Sequence, residues 1–255
     1  MKEAKIARLR EQLISEAIEQ MSKPRAFVEV THMKEADDLL NDIEGCPHAF
    51  VVACIMDRQM GAERAWRIPY ELGQRLGSFR FLDLAKLPMQ VLEEAMLHPQ
   101  PLHRFPSLMS KNLHSAIRHI ERQYGGDASE IWTEQPSSAT IVRRFLEFDG
   151  VGQKIATMAA NTLVRDFRIP VSDRYSIDVS VDIQVRRVFS RMGFVPEGAS
   201  ADYIIYRARE LHPEYPGIFD LLLWKLGRTV CRPRIPACEG CHWSDLCAYA
   251  GEVKP

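Results

Sequence analysis

The sequence predicts an all-α protein. Apolar residues recur at the three- and four-residue spacing of helices along most of the chain. Pro, Ser and Gly stand where helices begin and end, and only one short stretch alternates with the period of a strand.

The N-terminal MKEAKIARLREQLISEAIEQ reads as a charged amphipathic helix, without the apolar middle of a signal peptide. Residues 46–60 (CPHAFVVACIMDRQM) are apolar on almost every face and start with Pro47 in a first-turn position, which predicts a helix buried in a bundle. Pro88 opens another (PMQVLEEAML), ended by the Pro- and His-rich loop from His98 to Pro106. A third runs from Ser107 to Tyr124 and stops at Gly125-Gly126. Ser137 caps a fourth running to Phe148, and Gln153–Arg165 follows a tight turn. Helical patterns return at Gln184–Met192, Ala201–Leu211 and Gly217–Arg228. The exception is the alternation of Ile177, Val179, Val181, Ile183 and Val185, by period alone a strand. It is expected to be an extended lead into a helix near Asp182. There is no internal repeat, low-complexity tract or long linker.

With 46% apolar and 26% charged residues, and no run near 18 apolar residues, the composition is that of a soluble globular protein, expected in the cytoplasm. The net charge of −1 lends no support to a nucleic-acid partner. The charge is uneven, however. From Arg143 to Arg191 nine Lys/Arg face six Asp/Glu, enough for a local basic face.

Six cysteines in a cytosolic chain argue against a disulfide framework. Cys46 and Cys54 are expected as small buried hydrophobes. Cys231, Cys238, Cys241 and Cys247 stand as C-x6-C-x2-C-x5-C. Four thiolates suit an iron–sulfur cluster or structural zinc. Zinc ribbons bring two C-x-x-C knuckles and there is one here, so a single compact loop favours iron–sulfur. Arg232 and Arg234 lie in that loop, either as solvated charges or as a grip on a phosphate backbone.

RRFLEFDGVGQKIATMAANTL places a Gly-x-Gly turn between two helices. Gly150 and Gly152 are expected to allow positive φ, and the N–H groups opening the next helix point at an approaching phosphate. Alone this motif is weak.

Together, the cysteine spacing with its flanks LLLWKLGRTVC and DLCAY, the Gly150-Val151-Gly152 hairpin followed by Lys154, and VSVDIQVRRVFSRMG resemble the endonuclease III family of DNA glycosylases. The resemblance implies a two-lobed helix-hairpin-helix glycosylase fold. Residues 34–165 would form a helical barrel; residues 1–33 with 166–255 would form the lobe carrying a four-iron–four-sulfur cluster on the four cysteines, with a DNA cleft between the lobes. It places Lys154 at the nucleophile and Asp182 at the catalytic carboxylate of a V-D-x-x-V-x-R-V segment. Gly150, Val151, Gly152, Arg232 and Arg234 would contact DNA, and Gln59 would enter the duplex as the glutamine of a Ser-Ala-Gln motif.

The chemistry fits those assignments. A lysine attacks the sugar C1′ only as the free amine, and bringing its ordinary pKa of about 10.4 to neutrality takes about 4 kcal/mol. Partial burial and the positive end of a helix beginning near Gln153 both act in that direction. A carboxylate at Asp182 would stabilise positive charge on the sugar and help deprotonate Lys154. Asp182 also suits a helix N-cap, and Asp178 is its competitor for the catalytic role.

The sequence departs from the family pattern in four places. Phe148-Asp149 stands for Leu-Pro, with Asp149 available to cap the turn; Asp57-Arg58 stands for Ser-Ala. Ile183-Gln184 stands for Thr-His or Thr-Asn, and the Lys154–Asp182 stretch is about ten residues longer than the resemblance leads one to expect. In PLHRFPSLMSKN, Leu102 or Phe105 is a candidate second wedge, and the histidines are expected in surface or loop positions.

The expected activity is excision of a damaged base, by default an oxidised pyrimidine, from double-stranded DNA through a lysine Schiff base, with strand nicking by β-elimination. The expected protein is a nucleoid-associated monomer that also acts on abasic sites. A monofunctional mismatch glycosylase using water, and a non-catalytic DNA-binding or electron-transfer iron–sulfur protein, are the alternatives.

Overall fold

A computed structural model describes residues 2–25 and 27–253. Among them there is no strand, and none of the helices is long and apolar enough to cross a membrane. The thirteen α-helices in chain order are α1 (Lys2–Ser22), α2 (Lys34–Asn41), α3 (Pro47–Met56), α4 (Ala62–Leu76), α5 (Phe81–Leu84), α6 (Met89–Leu97) and α7 (Pro106–Tyr124). Then come α8 (Ser138–Leu146), α9 (Gln153–Arg165), α10 (Ile183–Met192), α11 (Ala201–Leu211), α12 (Asp220–Thr229) and α13 (Ala248–Val253).

Local chemistry sets many of these boundaries. Ser137 caps α8 by accepting from the N–H of Thr140, and Ser200 caps α11 through Tyr203. Gly125 ends α7 in the left-handed conformation, and Pro88 is the N-cap of α6. Sequence periodicity does not reveal α4, which carries Pro69 inside it; buried side chains at Ala65, Trp66, Ile68, Pro69 and Leu72 hold it against the interior despite the missing N–H.

The chain divides into two compact units, Arg25–Ser172 and Met1–Pro24 with Asp173–Pro255. The boundaries expected from sequence, 33/34 and 165/166, assign two flanking segments differently. Residues 28–31 bond into the first unit, where Val28 and Thr31 donate N–H to Asn41 Oδ1 and Asp37 Oδ1 and Arg67 donates to the Thr31 carbonyl. At the other end Phe167 packs edge-on against Phe50, and the Ser172 N–H reaches the Pro136 carbonyl.

In the Arg25–Ser172 unit, every residue of α3 is buried, and α3 packs on α2, α4, α7 and α9. Phe50 is its aromatic centre, with Trp66, Trp132, Phe145 and Phe167 all edge-on at 5.4–6.3 Å. In the other unit α10 packs along α12, and α1 packs on the 3-10 turn Pro216–Phe219. Phe189 and Phe219 meet in its core.

The alternating segment before α10 forms no strand and closes in a turn, the Asp182 N–H donating to the Ser180 carbonyl at 2.8 Å. Ile177, Asp178, Val179 and Ser180 are all buried, so both faces are covered. Their backbone is satisfied by single contacts instead of a ladder. Ser180 N–H donates to Asp220 Oδ1 at 2.8 Å, and Gly217 N–H to the Ile177 carbonyl at 2.7 Å.

Candidate active site

Lys154 is the second residue of α9, just after the hairpin that joins it to α8. Its side chain is 43% exposed, and Nζ lies 3.2 Å from Asp57 Oδ2. Asp57, only 8% exposed, follows the last residue of α3. This carboxylate had no assigned role in the sequence reading. Its one sequence signal is an acid closing a helix that is apolar at every position except His48, because contact with Lys154 requires the fold to bring together residues 97 positions apart.

The turn that carries Asp57 is held from beneath. His103 is buried, and its Nδ1 accepts the N–H of Phe105, so Nε2 carries the proton and donates to the Met56 carbonyl at 3.2 Å. Burial lowers the His103 pKa. His103 stands in the loop between α6 and α7, as expected, but is buried there because its imidazole supplies the hydrogen bond that fixes the end of α3. Two residues after Asp57, Gln59 is exposed with φ +54, a left-handed value that non-glycine residues seldom adopt. Of the two wedge candidates in the following loop, Leu102 is buried at 4% exposure and does not project; Phe105 is half-buried under the Arg104 guanidinium.

The hairpin glycines differ in kind. Gly150 has φ +82, and a Cβ there would collide with Asn112 Nδ2 and lie 3.5 Å from an Arg58 nitrogen. Gly152 is instead an extended N-cap with φ −103, contrary to the expected positive φ, and a Cβ there would meet nothing within 4 Å. Its value at this position is open space beside the start of α9. Val151 is buried, and its N–H is given to the Phe148 carbonyl. Phe148 is buried beside His119 and Phe145, filling the anchoring place of the expected leucine. Asp149 accepts a 2.6 Å hydrogen bond from Ser115 Oγ on α7, which ties the hairpin to that helix.

In the second unit, Asp182 is the N-cap of α10, its Oδ1 accepting from Gln184 and Val185 N–H at 2.8 Å each. Asp178 is buried and forms a two-pronged ion pair with Arg209, 2.8 Å on both arms. That pairing accounts for Asp178 as a structural acid.

Cys231, Cys238, Cys241 and Cys247 line one pocket together with Val188, Leu226 and Tyr249. Burial raises the Cys241 and Cys247 thiols, and the neighbouring cysteines add to the effect. Backbone N–H groups of Trp243 and of Tyr249 and Ala250 oppose it by favouring the thiolates. Among the described residues no group of three or more His, Cys, Asp or Glu is gathered as for a single metal ion.

Two arginines that the sequence reading left unassigned hold this loop. Arg187 donates to the carbonyls of Cys231 and Gly227, and Arg191 donates to Cys231 Sγ and to the carbonyls of Arg232 and Pro233. Arg191 also stacks on Tyr249 at 4.6 Å. Arg232 and Arg234 are exposed. Of the other cysteines, Cys54 is fully buried as expected; Cys46 is only half-buried, its sulfur 3.4 Å from His48 Nε2.

Solved structures share this arrangement of helices. A thermostable thymine-DNA glycosylase aligns over 96% of the chain and 97% of its own length, with TM-score 0.63 and 19% identity. The chain has the endonuclease III fold. Two endonuclease III–DNA complexes, one a trapped covalent intermediate and one non-covalent, align over 88% of the chain and 98% of their own. Their TM-scores are 0.57 and 0.59, at 16% and 17% identity. In sequence the chain is 30% identical over 113 residues to an endonuclease III of Sulfolobus acidocaldarius. That match takes in 42% of the chain and spans 45% of the relative's length. No family model matches. Within the endonuclease III fold, α8, the hairpin and α9 form the helix-hairpin-helix.

Proposed function

We propose that the protein is a base-excision DNA glycosylase with abasic-site lyase activity, Lys154 being the nucleophile. One observation carries this reading: a half-exposed lysine amine beside a helix-hairpin-helix, 3.2 Å from a buried carboxylate. The amine attacks C1′ of a flipped nucleotide and the base leaves. The resulting Schiff base acidifies the C2′ proton, and β-elimination releases the 3′ phosphate. Asp182 supplies the carboxylate that stabilises the sugar cation, as the resemblance implies.

Gly150 shapes the hairpin and Gly152 leaves room for a backbone phosphate at the start of α9. Gln59 enters the duplex, and Arg232 and Arg234 bind phosphates. The substrate is double-stranded DNA with an oxidised pyrimidine or an abasic site, met by a monomer on nucleoid DNA in the cytoplasm.

Cys231, Cys238, Cys241 and Cys247 would hold a four-iron–four-sulfur cluster. Their common pocket and the N–H groups aimed at two of the sulfurs fit a thiolate donor set. The cluster would contribute rigidity to the basic loop. Iron in the purified, yellow-brown protein is the expected result; a colourless, zinc-loaded protein would exclude it.

The test is a panel of lesion-bearing duplexes incubated with protein and borohydride. A trapped adduct that disappears in Lys154→Ala is expected. The likeness to a thymine-DNA glycosylase favours a second reading, mismatch excision by water, which would release base without an adduct. Inertness on every duplex would leave a DNA-binding iron–sulfur protein.

A further inference from the structure

Resting on the lysine reading above, we propose that Asp57 is the proton acceptor that converts the Lys154 ammonium into the attacking amine. The carboxylate is the group in contact with Nζ, at 3.2 Å, within reach for direct transfer. It sits on a fixed turn: the Asp57 N–H is bonded to the Cys54 carbonyl, and His103 holds the Met56 carbonyl. Asp182, by contrast, has an oxygen committed to two backbone N–H groups at the start of α10.

Burial differs across the pair, and that difference supplies the driving force. Asp57 is already desolvated, whereas water reaches Lys154. DNA covering the amine would strip that water and leave two opposite charges in a dry site. Moving one proton from nitrogen to oxygen removes both charges at once. The neutral amine then forms the N–C1′ bond, the C1′–base bond breaks with its electron pair going to the base, and the departing base takes the proton from the Asp57 carboxyl. No other reagent is needed.

Arg58 adjoins Asp57 on the same turn. Cys54 of α3, which senses both charges, is pushed well above its ordinary value by burial, and burial keeps His103 neutral near pH 7.

The experiment measures borohydride trapping rates on a duplex bearing one abasic site, from pH 6 to 9.5. Here the amine adds to the C1′ aldehyde and water leaves, so no lesion need be known. Asp57→Asn is expected to slow trapping about 100-fold at pH 7. The deficit should shrink about tenfold per pH unit as hydroxide takes over deprotonation. Asp57→Ser carries the residue of the Ser-Ala-Gln motif at this position and should show the same pH dependence; Asp57→Glu should recover most of the rate. Unchanged or faster trapping at neutral pH in Asp57→Asn or Asp57→Ser, or a loss of equal size at every pH, overturns the assignment. No adduct with the unaltered protein, or an undiminished adduct in Lys154→Ala, instead overturns the lysine reading, and the Asp57 assignment falls with it.

Discussion

Arg187 gives its Nε–H to the carbonyl of Cys231 at 2.9 Å and a second N–H to the carbonyl of Gly227, fastening α10 to the first cysteine of the pocket. It is the arginine of the V-D-x-x-V-x-R-V segment, five residues after Asp182. The same short run of sequence therefore supplies the cap of α10 and the bracket of the cysteine loop.

Truncating that bracket leaves two carbonyls without their donor. Arg187→Ala is expected to lower stability by about 2 kcal/mol, read as a reduced urea midpoint, and to lower iron recovered per chain. Arg187→Lys should not restore either, since one ammonium cannot reproduce the planar fork. Arg232→Ala with Arg234→Ala should leave the urea midpoint in place and weaken DNA affinity, most clearly at low salt.

The hairpin glycines should separate stability from binding. Gly150→Ala combines a left-handed φ with a collision against Asn112 and should cost about 2 kcal/mol. Gly152→Ala meets open space and should leave the melting temperature unchanged, while the added methyl reduces affinity for a duplex in a fluorescence titration.

The two aspartates before α10 should separate in the same way. Asn caps a helix nearly as well as Asp, so Asp182→Asn should change stability by less than about 0.5 kcal/mol yet abolish most excision. Asp178→Asn breaks the pair with Arg209, whose side chain is 42% exposed, and should cost about 2 kcal/mol. Its excision rate per folded molecule should not fall.

Acid should weaken the fold through two buried imidazoles. Burial lowers the pKa of both His48 and His103, so below about pH 6.5 the unfolded chain takes up protons that the folded chain refuses. Their contribution is complete above that pH and is lost as pH falls towards the lower folded values, at no more than about 1.4 kcal/mol per pH unit each. Urea midpoints at pH 7.5 and 5.5 measure this. His103→Asn should start less stable and lose less on acidification.

Gln59→Gly should relieve the left-handed backbone, raising stability by about 1 kcal/mol. If the glutamine fills the space of a flipped nucleotide, excision from duplex DNA should fall while trapping on a single-stranded abasic oligonucleotide persists. Equal losses on both substrates would remove the wedge role.

What could be read in the sequence follows the range of the forces involved. Ser137, Pro88 and Gly125 act on neighbouring backbone, so α6, α7 and α8 are visible from local residues alone. The four cysteines and the hairpin before Lys154 are also short-range patterns. α4 is hidden because Pro69 argues locally against the helix that its buried face stabilises. The strand-like alternation at 177–185 misleads because it joins two different environments: residues 177–180 are buried on both faces, whereas Ile183, 73% exposed, and Val185 already belong to α10. Asp57 and His103 are invisible for a related reason: their partners, Lys154 and the Met56 carbonyl, are neighbours only after folding.

The unit that contains the cysteine pocket is assembled from both ends of the described chain, with α1 packed on the turn at Pro216–Phe219. During translation, Arg25–Ser172 is complete before the four cysteines of the pocket have been added to the chain. α1 leaves ahead of that unit and must stay soluble without its packing partner through the synthesis of about 190 residues. Eight of its 21 residues are charged, which suits that interval, while Leu9, Leu13 and Ala17 form an apolar stripe that has no cover until Phe219 emerges.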